Sequence, residues 1–410
     1  MTTSTLAPLV FDPYDYALQD DPYPTYRRLR LEQPLHHNTE HDFWVLSRYA
    51  DIHAGVRDDD TFSNAMGVTL DASAWSPDAH KVMSFLAMDP PETTRLRRLV
   101  SKGFTPRRVR ELGPDIQRIT DLYLAACLEK ARSGEEFCWI KDFAGKVPMD
   151  VISEMLGVPD SDRDEVRRLA DLLVHREHGV RDVPPAGVEA AGQLFGYYND
   201  LLAEKRRHPG EDLTSALLHV EDDGKRMTRD EIIAFLFLTV VAGNETTTKL
   251  LGNALGNLSR VPSYVERVFG GAGDASLVGP WVEETLRYDA STQILARQLR
   301  TDLTRGDVTA PAGAKILLLI GAANHDESVF CDPDTFDLDR PAEELDRLVS
   351  FGGGRHFCLG ANLARLEAKV ALASLVAAVD DVEVDHDRSV RFYSANVRGF
   401  AEMPVRVSVR

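Results

Sequence analysis

One cysteine, Cys358, lies between a run of glycines and the start of a helical pattern, and this arrangement suits a thiolate that binds a metal. The segment reads FGGGRHFCLG over residues 351–360. Glycines let the main chain pass close to a flat cofactor, and free amides near the start of the next helix stabilise a thiolate. An inert buried cysteine beside a glycine-rich turn is the alternative. On its residues, the segment makes Cys358 a candidate metal ligand.

A second segment places polar residues inside an apolar helical pattern. The sequence AGNETT at 242–247 follows the apolar run 232–241. Small residues at 242 and 243 leave space over a ligand, and a threonine hydroxyl that bonds back to a helical carbonyl loosens a helix. The alternative is that Gly243 serves helix packing while Glu245 and the threonines line a solvated face. Taken alone, the segment leaves both interpretations open.

Together, the two segments resemble motifs of the cytochrome P450 family. Residues 351–360 match its haem-loop pattern F-x-x-G-x-[RH]-x-C-x-G, and residues 242–246 match its distal pattern [AG]-G-x-[DE]-T. The resemblance implies haem b with Cys358 as the axial ligand to iron, Thr246 at the bound dioxygen and Glu245 in proton delivery. The other cofactor-binding residues that it implies are Phe351 beside the sulfur, His356, Arg97 and Arg297 at the haem propionates, Ala242 and Gly360.

Three further residues match the family in a structural role. Glu284 and Arg287 stand three apart in EETLR, as in the family's E-x-x-R motif, and Arg340 in FDLDR corresponds to its meander arginine. We expect a buried carboxylate flanked by two guanidinium groups, which tolerates the loss of a partner poorly.

The segment DPPETTRLR at 89–97 resembles the family's D-P-P-x-H-x-x-x-R pattern but has Thr93 in place of histidine. A threonine hydroxyl is shorter and never cationic. We therefore expect one haem propionate to lose a charged contact or to gain a water molecule.

The family resemblance implies a monooxygenase that inserts one oxygen atom from O2 into a hydrophobic small molecule, by hydroxylation or epoxidation of a secondary metabolite, terpenoid or steroid. Electrons would come from NAD(P)H through a ferredoxin and a ferredoxin reductase. A haem protein that carries a ligand without turnover and a peroxide-driven peroxygenase are the alternatives, and Thr246 and Glu245 argue against both. The candidate substrate pocket consists of Phe85, Leu86, Leu238, Val241, Gln293, Ile294 and Leu295.

The elements that must position these residues are mostly helical. Apolar residues recur at helical spacing over about 92–132, 160–208, 228–260 and 359–380, with loops near 178–188 and 270–280. Thr228 and Glu231 have the spacing of a capping box, so one helix should start there and run to Pro262. Strand patterns are fewer, at 43–47, 315–321 and the final VRVSV. This pattern predicts a mainly α protein with a small β-sheet region, the cytochrome P450 fold.

Composition limits the possible partners. The 410 residues are 43% hydrophobic and carry a formal net charge of −18, which argues against nucleic acid or an anionic membrane as the main partner. No apolar run reaches the roughly 18 residues of a membrane-spanning helix, and the first residues lack the features of a secretory signal. We expect a soluble cytoplasmic protein of the bacterial type with one domain, 1–410.

A local basic patch stands out in this acidic chain. Between 93 and 110 there is no acidic residue, and the cations there could steer an acidic electron-transfer partner together with Arg355 and Arg365. A solvated helix face is an equally good interpretation. The basic residues of this segment include Arg95, Arg98, Lys102, Arg107 and Arg108.

Overall fold

Helices dominate the computed structural model, which describes residues 9–177 and 179–410. The α-helices are α1 Tyr16–Asp20, α2 Tyr23–Glu32, α3 Tyr49–Gly55, α4 His80–Met83, α5 Glu92–Val100, α6 Pro106–Glu111, α7 Gly113–Arg132, α8 Val147–Leu156, α9 Arg163–Val174, α10 Pro185–Arg207, α11 Leu213–His219, α12 Arg229–Leu258, α13 Pro262–Phe269, α14 Val278–Tyr288, α15 Ile320–Ala323, α16 Ala342–Leu345 and α17 Ala361–Ala378.

The strands are short and form small sheets. They are β1 Leu35–Asn38, β2 Phe43–Leu46, β3 Phe62–Ser63, β4 Phe137–Cys138, β5 Glu221–Asp222, β6 Lys225–Arg226, β7 Ile294–Leu299, β8 Leu303–Arg305, β9 Val308–Ala310, β10 Lys315–Leu319, β11 Val379–Val384, β12 Val390–Arg391, β13 Phe400–Glu402 and β14 Pro404–Val409. The prediction of a mainly helical protein with a small β region is confirmed.

The largest sheet has the strand order β1-β2-β10-β7-β3. Strands β2 and β10 run parallel, whereas β10 and β7 are antiparallel with Ile316 opposite Arg297. This sheet packs with α2, α3 and α15 around one hydrophobic cluster, and most other helices share a second, larger cluster. Strand β7 borders the cavity described below and carries Leu295 and Arg297 into its wall.

The central helix α12 begins where the sequence predicts. The Thr228 hydroxyl accepts a hydrogen bond from the amide of Glu231 at 3.2 Å, and the Glu231 carboxylate accepts one from the amide of Thr228 at 2.8 Å. The helix then continues to Leu258, four residues short of Pro262. It packs against α4, α8, α10 and α14, which makes it the main support of the helical cluster.

Three predicted element boundaries are wrong. The pattern at 92–132 divides into α5, α6 and α7, with a 3₁₀ turn at Ser101–Phe104 before Pro106. The pattern at 160–208 divides into α9 and α10 because extended backbone leads into Pro184 and Pro185. The strand predicted at 315–321 ends at Leu319, where α15 begins.

In the described ranges, no helix combines the length and apolar character needed to cross a membrane. The first eight residues, part of the segment used to judge the absence of a secretory signal, lie outside the described residues.

Candidate active site

A large cavity lies between α12, strand β7 and the cysteine loop, by which we mean residues 351–360. Its volume, including the part that is open to solvent, is about 1430 Å³. The wall runs from the cysteine loop to α12, so a flat cofactor could lie between them with a small molecule beside it. Both Cys358 and Thr246 contribute to its wall.

The cysteine loop folds back on itself before Cys358. The amide of Cys358 donates a hydrogen bond to the carbonyl of Phe351 at 2.9 Å. At Gly354, φ is +59°, and an added Cβ would lie 3.0 Å from the main chain of Arg57. At Gly353, an added Cβ would lie 2.8 Å from Val56. These two glycines therefore let the loop approach residues 56–57, and Gly353 also lines the cavity.

The surroundings of the Cys358 thiol act on its acidity in opposite directions. The side chain is exposed toward the cavity, yet the protein around it is dense, and this desolvation raises the pKa of the thiol. The amide of Gly360 and the guanidinium groups of Arg97 and Arg365 lower the pKa. The groups that lower it are those that stabilise a thiolate, which is the form that binds iron.

Two polar side chains in the cavity wall, Arg297 and His356, have buried polar atoms with few or no hydrogen-bond partners among the described residues. Arg297 is 3% exposed, and its guanidinium donates a hydrogen bond only to the carbonyl of Ala296, at 2.7 Å, among the described residues. Burial lowers the pKa of Arg297 to about 10, although Asp89 and Asp59 oppose this effect. Both ring nitrogens of His356 are buried without a hydrogen-bond partner in the described part of the chain.

These groups suit the carboxylates of a haem. Arg97 also lines the cavity, and its guanidinium donates to the carbonyl of Phe357. A buried guanidinium and a buried imidazole are favourable only when an anion or a hydrogen-bond acceptor stands beside them. Haem propionates supply both, while Cys358 supplies the iron ligand. The residues present therefore fit the cofactor that the sequence motifs imply.

Helix α12 remains continuous through the AGNETT segment. The Thr246 hydroxyl donates to the carbonyl of Ala242 at 2.8 Å, and Thr246 and Ala242 both line the cavity. The predicted loosening of the helix is not present, because residues 242–247 keep α-helical structure despite this bond. An added Cβ at Gly243 would lie 2.8 Å from the side-chain Cδ1 of Ile152, so this glycine favours close packing on α8, and it also lines the cavity.

Glu245 forms a buried ion pair that the sequence interpretation did not include. It is 8% exposed, and its Oε1 lies 2.8 Å from Nζ of Lys249, which is 3% exposed. The two residues stand four apart on α12, which is the spacing of a helical Glu–Lys pair. That spacing was visible in the sequence. Burial of the lysine was not, because it depends on the C-terminal residues packed over it.

The cavity wall contains four of the predicted pocket residues: Phe85, Leu86, Leu238 and Leu295. Val241 is not part of it because the cavity-facing stripe of α12 carries Leu238, Thr239, Ala242 and Gly243 instead.

Gln293 and Ile294 lie outside the cavity wall as well. Alternate residues of a strand point to opposite faces, so Leu295 and Arg297 face the cavity while Ile294 packs into the sheet cluster. Gln293 is 4% exposed and donates to the carbonyl of Ala290 at 2.7 Å.

The predicted carboxylate between two guanidinium groups is present below the site. Glu284 is completely buried and lies 2.7 Å from Arg287 and 2.9 Å from Arg340. The two arginines also donate to main-chain carbonyls of residues 331–335. This network joins α14 to the segment that precedes the cysteine loop.

Thr93 packs against the turn that precedes α5. Its side chain is completely buried, and its hydroxyl donates to the carbonyl of Phe85 at 3.0 Å. Thr93 is not in the cavity wall, so it supports the 3₁₀ turn at Ser84–Ala87 instead of facing a propionate.

Proteins similar in sequence belong to the family whose motifs the cysteine loop and α12 resemble. The family model described as cytochrome P450 matches residues 276–404, which include the Glu284 network and the cysteine loop. Putative cytochrome P450 123 of Mycobacterium tuberculosis is 54% identical over 402 residues, covering 98% of each chain. Vitamin D(3) 25-hydroxylase of Pseudonocardia autotrophica is 38% identical over 419 aligned positions and covers 100% of both chains.

A solved structure shares the whole fold. CYP109E1 from Bacillus megaterium in complex with corticosterone superposes with a TM-score of 0.82 at 29% identity, covering 95% of this chain and 99% of that one. The resemblance inferred from the motifs is thus confirmed. Identity of 54% over nearly the full length, together with this shared fold, makes the chain a member of the cytochrome P450 family and a monooxygenase with haem b as its cofactor.

Proposed function

We propose that this monooxygenase hydroxylates or epoxidises a neutral, hydrophobic small molecule of terpenoid, steroid or secondary-metabolite type. For hydroxylation the balance is RH, O2, NAD(P)H and H⁺ giving ROH, H2O and NAD(P)⁺. Haem held by the Cys358 thiolate supplies O–O bond cleavage and transfer of one oxygen atom, because the thiolate donates electron density to the iron. His356, Arg97 and Arg297 hold the propionates.

The proposal of a neutral, hydrophobic substrate rests on the side chains of the cavity wall other than the haem-binding residues. Side chains of Phe85, Leu238 and Leu295 line it, and the Thr239 hydroxyl is already bonded to the carbonyl of Phe235 at 2.7 Å. The cations that the described residues place in the wall, Arg97 and Arg297, are both assigned to the propionates. An anionic substrate would lose its hydration without gaining a cation beyond those assigned to the propionates, whereas a neutral apolar substrate would lose nothing comparable.

Protons for the reaction reach the cavity through α12. The Thr246 hydroxyl stands at the cavity wall, and Glu245 is the neighbouring ionisable group. In this scheme Glu245 takes a proton from the solvent side and passes it toward Thr246. The threonine hydroxyl donates the proton at the cavity and is then reprotonated.

Two electrons come from NAD(P)H through a ferredoxin and its reductase. The exposed cations of α5 and α6 form the docking surface for the acidic ferredoxin, beside the cysteine loop. Helix α5 contacts the loop directly, since Arg355 donates to the hydroxyl of Thr94 at 3.4 Å. Opposite charges on the two partners would speed their encounter.

The test uses the haem-loaded protein and a matched pair of ligands. A ferrous-CO difference spectrum should have the form of thiolate ligation in the wild type and lose it in Cys358→His. Dodecanol, a neutral steroid and dodecanoate are then titrated while the haem spin state is followed. We expect the alcohol and the steroid to shift the spin state at concentrations at least about tenfold lower than dodecanoate.

Turnover with NAD(P)H, a ferredoxin and its reductase decides the reaction. Formation of one hydroxylated or epoxidised product per NAD(P)H supports the proposal. A preference for dodecanoate would contradict the assignment of a neutral substrate. Product formed with peroxide but never with the reductase system would identify a peroxygenase, and ligand binding without any product would identify a carrier.

A further inference from the structure

The buried lysine of α12 has a set of contacts that encloses its whole side chain. Nζ of Lys249 lies 2.8 Å from Oε1 of Glu245 and donates to the carbonyl of Phe400 at 3.1 Å. It also lies 3.7 Å from the centre of the Phe392 ring. At Gly399 an added Cβ would come within 2.5 Å of Cδ of Lys249, so the chain has no side chain there.

Lysine is almost never this buried unless its charge is paired. The segment around β12 and β13 closes over Lys249, and the amide of Phe392 donates to the carbonyl of Gly399 at 3.0 Å to complete the enclosure. A carbonyl and an aromatic ring would be satisfied by a neutral donor as well. The one contact that requires a cation is the carboxylate of Glu245.

Proton transfer by Glu245 creates a need for that cation. Each proton that Glu245 passes on leaves a carboxylate in a position that is 8% exposed. Burial disfavours the charged form of an acid, and a neighbouring opposite charge favours it. A cation beside Glu245 compensates the negative charge that each proton transfer leaves there.

Other charged groups face this pair from α9. Dense packing around Asp171, whose side chain still reaches solvent, raises its pKa to about 6, and the charge of Glu245 adds to this effect. Arg167 and Lys249 oppose it. Arg167 itself is engaged by Asp150 of α8 at 2.5 Å. On the segment around β12 and β13, the cations Arg391 and Arg398 are both paired with Asp289, at 3.6 Å and 2.8 Å.

We propose that Lys249 is a positioning residue for oxygen insertion: its ammonium group stabilises the carboxylate that Glu245 becomes on donating a proton and anchors it beside the Thr246 turn of α12. This inference rests on the proposed role of Glu245. No group is consumed, because Glu245 regains its proton from the solvent side and Lys249 keeps its charge throughout.

A double-variant cycle tests the proposal on the haem-loaded enzyme with its reductase system. The variants are Lys249→Met, Lys249→Gln, Glu245→Gln and the combination of Lys249→Met with Glu245→Gln. We expect each lysine variant to lower the fraction of NAD(P)H recovered as product at least threefold and to raise peroxide release. In the Glu245→Gln background, Lys249→Met should cause no further loss. Lys249→Gln retains a donor for Phe400 and covers the case in which the methionine variant does not fold.

Infrared spectroscopy of the protein at neutral pH provides a readout that is independent of turnover. The carbonyl stretch of a protonated carboxyl group should appear in Lys249→Met and disappear in the double variant. Asn253→Ala is the matched control, because Asn253 fastens the same C-terminal segment to α12 by donating to the carbonyl of Arg398 at 3.1 Å. This control should keep both the coupling and the infrared spectrum of the wild type.

The outcomes separate the two proposals. If Glu245→Gln uncouples turnover while both lysine variants remain coupled, the role of Lys249 is refuted and that of Glu245 stands. If Glu245→Gln converts NAD(P)H to product as efficiently as the wild type, the proposed proton role of Glu245 is refuted, and the role of Lys249 is refuted with it. An equal loss on Lys249→Met in both backgrounds, or the same loss in Asn253→Ala, would show that Lys249 acts through packing alone and would overturn the inference.

Discussion

Arg297 is the cation of the cavity wall whose surroundings do least to balance its charge. Its guanidinium is 3% exposed and donates to the carbonyl of the preceding residue, and Asp89 and Asp59 act on it without an ion-pair contact among the described residues. Burial of a cation is costly unless a counter-ion is close. We infer that a haem propionate supplies most of that compensation, so this residue should affect cofactor retention more than it affects folding.

Arg297→Met should accelerate loss of haem. A hydrogen bond to a charged group contributes about 1.5–3 kcal/mol, which corresponds to roughly a 10- to 150-fold change in the dissociation constant. Transfer of haem to excess apomyoglobin measures the rate. Arg305→Met is the control, because Arg305 is paired with Asp51 at 2.5 Å and is outside the cavity wall. Equal rates of haem loss from the two variants would contradict the assignment.

Helix α14 carries two adjacent glutamates with very different surroundings. Glu284 is fully buried between Arg287 and Arg340, whereas the side chain of Glu283 is 23% exposed and paired with Arg365 at 2.8 Å. Neighbouring positions on one helix thus face the interior and the surface. The two glutamates therefore allow the stability contribution of a buried salt bridge to be compared with that of a salt bridge near the surface of the same helix.

Glu284→Gln should destabilise the fold by about 3–5 kcal/mol, because Arg287 then remains buried without a carboxylate and Arg340 keeps only Glu344, at 2.8 Å. Glu283→Gln should cost less, about 1 kcal/mol, since an ion pair that is still in contact with solvent contributes little. Urea unfolding of the haem-loaded proteins, followed by far-ultraviolet circular dichroism, gives both values. Similar losses in the two variants would show that the Glu284 network is not the support of the cysteine loop.

Much of this element-level organisation was predictable, and the exceptions have physical causes. The capping box at Thr228 and the Glu284 triad were correct because both depend on local spacing or on a family motif. The pocket residues of β7 were half correct, because a run of consecutive residues in a strand cannot all face one side. The burial of Lys249 was not predicted, because it results from packing against Phe392, Gly399 and Phe400. These residues are about 150 positions away in the chain.

At the scale of the whole molecule, the surface beside the cysteine loop differs in charge from the rest of the chain. The net charge is −18, yet α5 and α6 present Arg98 and Arg108 with side chains that are 64% and 69% exposed. Arg95, Arg107, Arg355 and Arg365 are also there, and each of these six arginines has a carboxylate partner, at 3.9 Å for Arg98 and 3.1 Å for Arg108. The basic patch predicted from the sequence is therefore present but partly neutralised.

Reversing two of these charges should weaken the encounter with a ferredoxin. For Arg98→Glu combined with Arg108→Glu, we expect the KM for ferredoxin to rise at least about tenfold at low salt while kcat with saturating ferredoxin stays the same. Arg206→Glu, on the exposed C-terminal turn of α10, is the control and should leave KM unchanged. A loss of kcat at unchanged KM, or an effect that does not weaken with salt, would argue against a docking role.

The close approach of Gly353 and Gly354 to Val56 and Arg57 has a consequence for recombination between relatives. It joins the loop of the iron ligand to the end of α3, which belongs to the sheet cluster. The two segments lie almost 300 positions apart in the chain. A crossover between them therefore combines the loop of one parent with the α3 end of another, and the two surfaces need not be complementary. In a library of chimeras, inheritance of both segments from one parent should therefore separate haem-loaded proteins from apoproteins better than overall parental identity does.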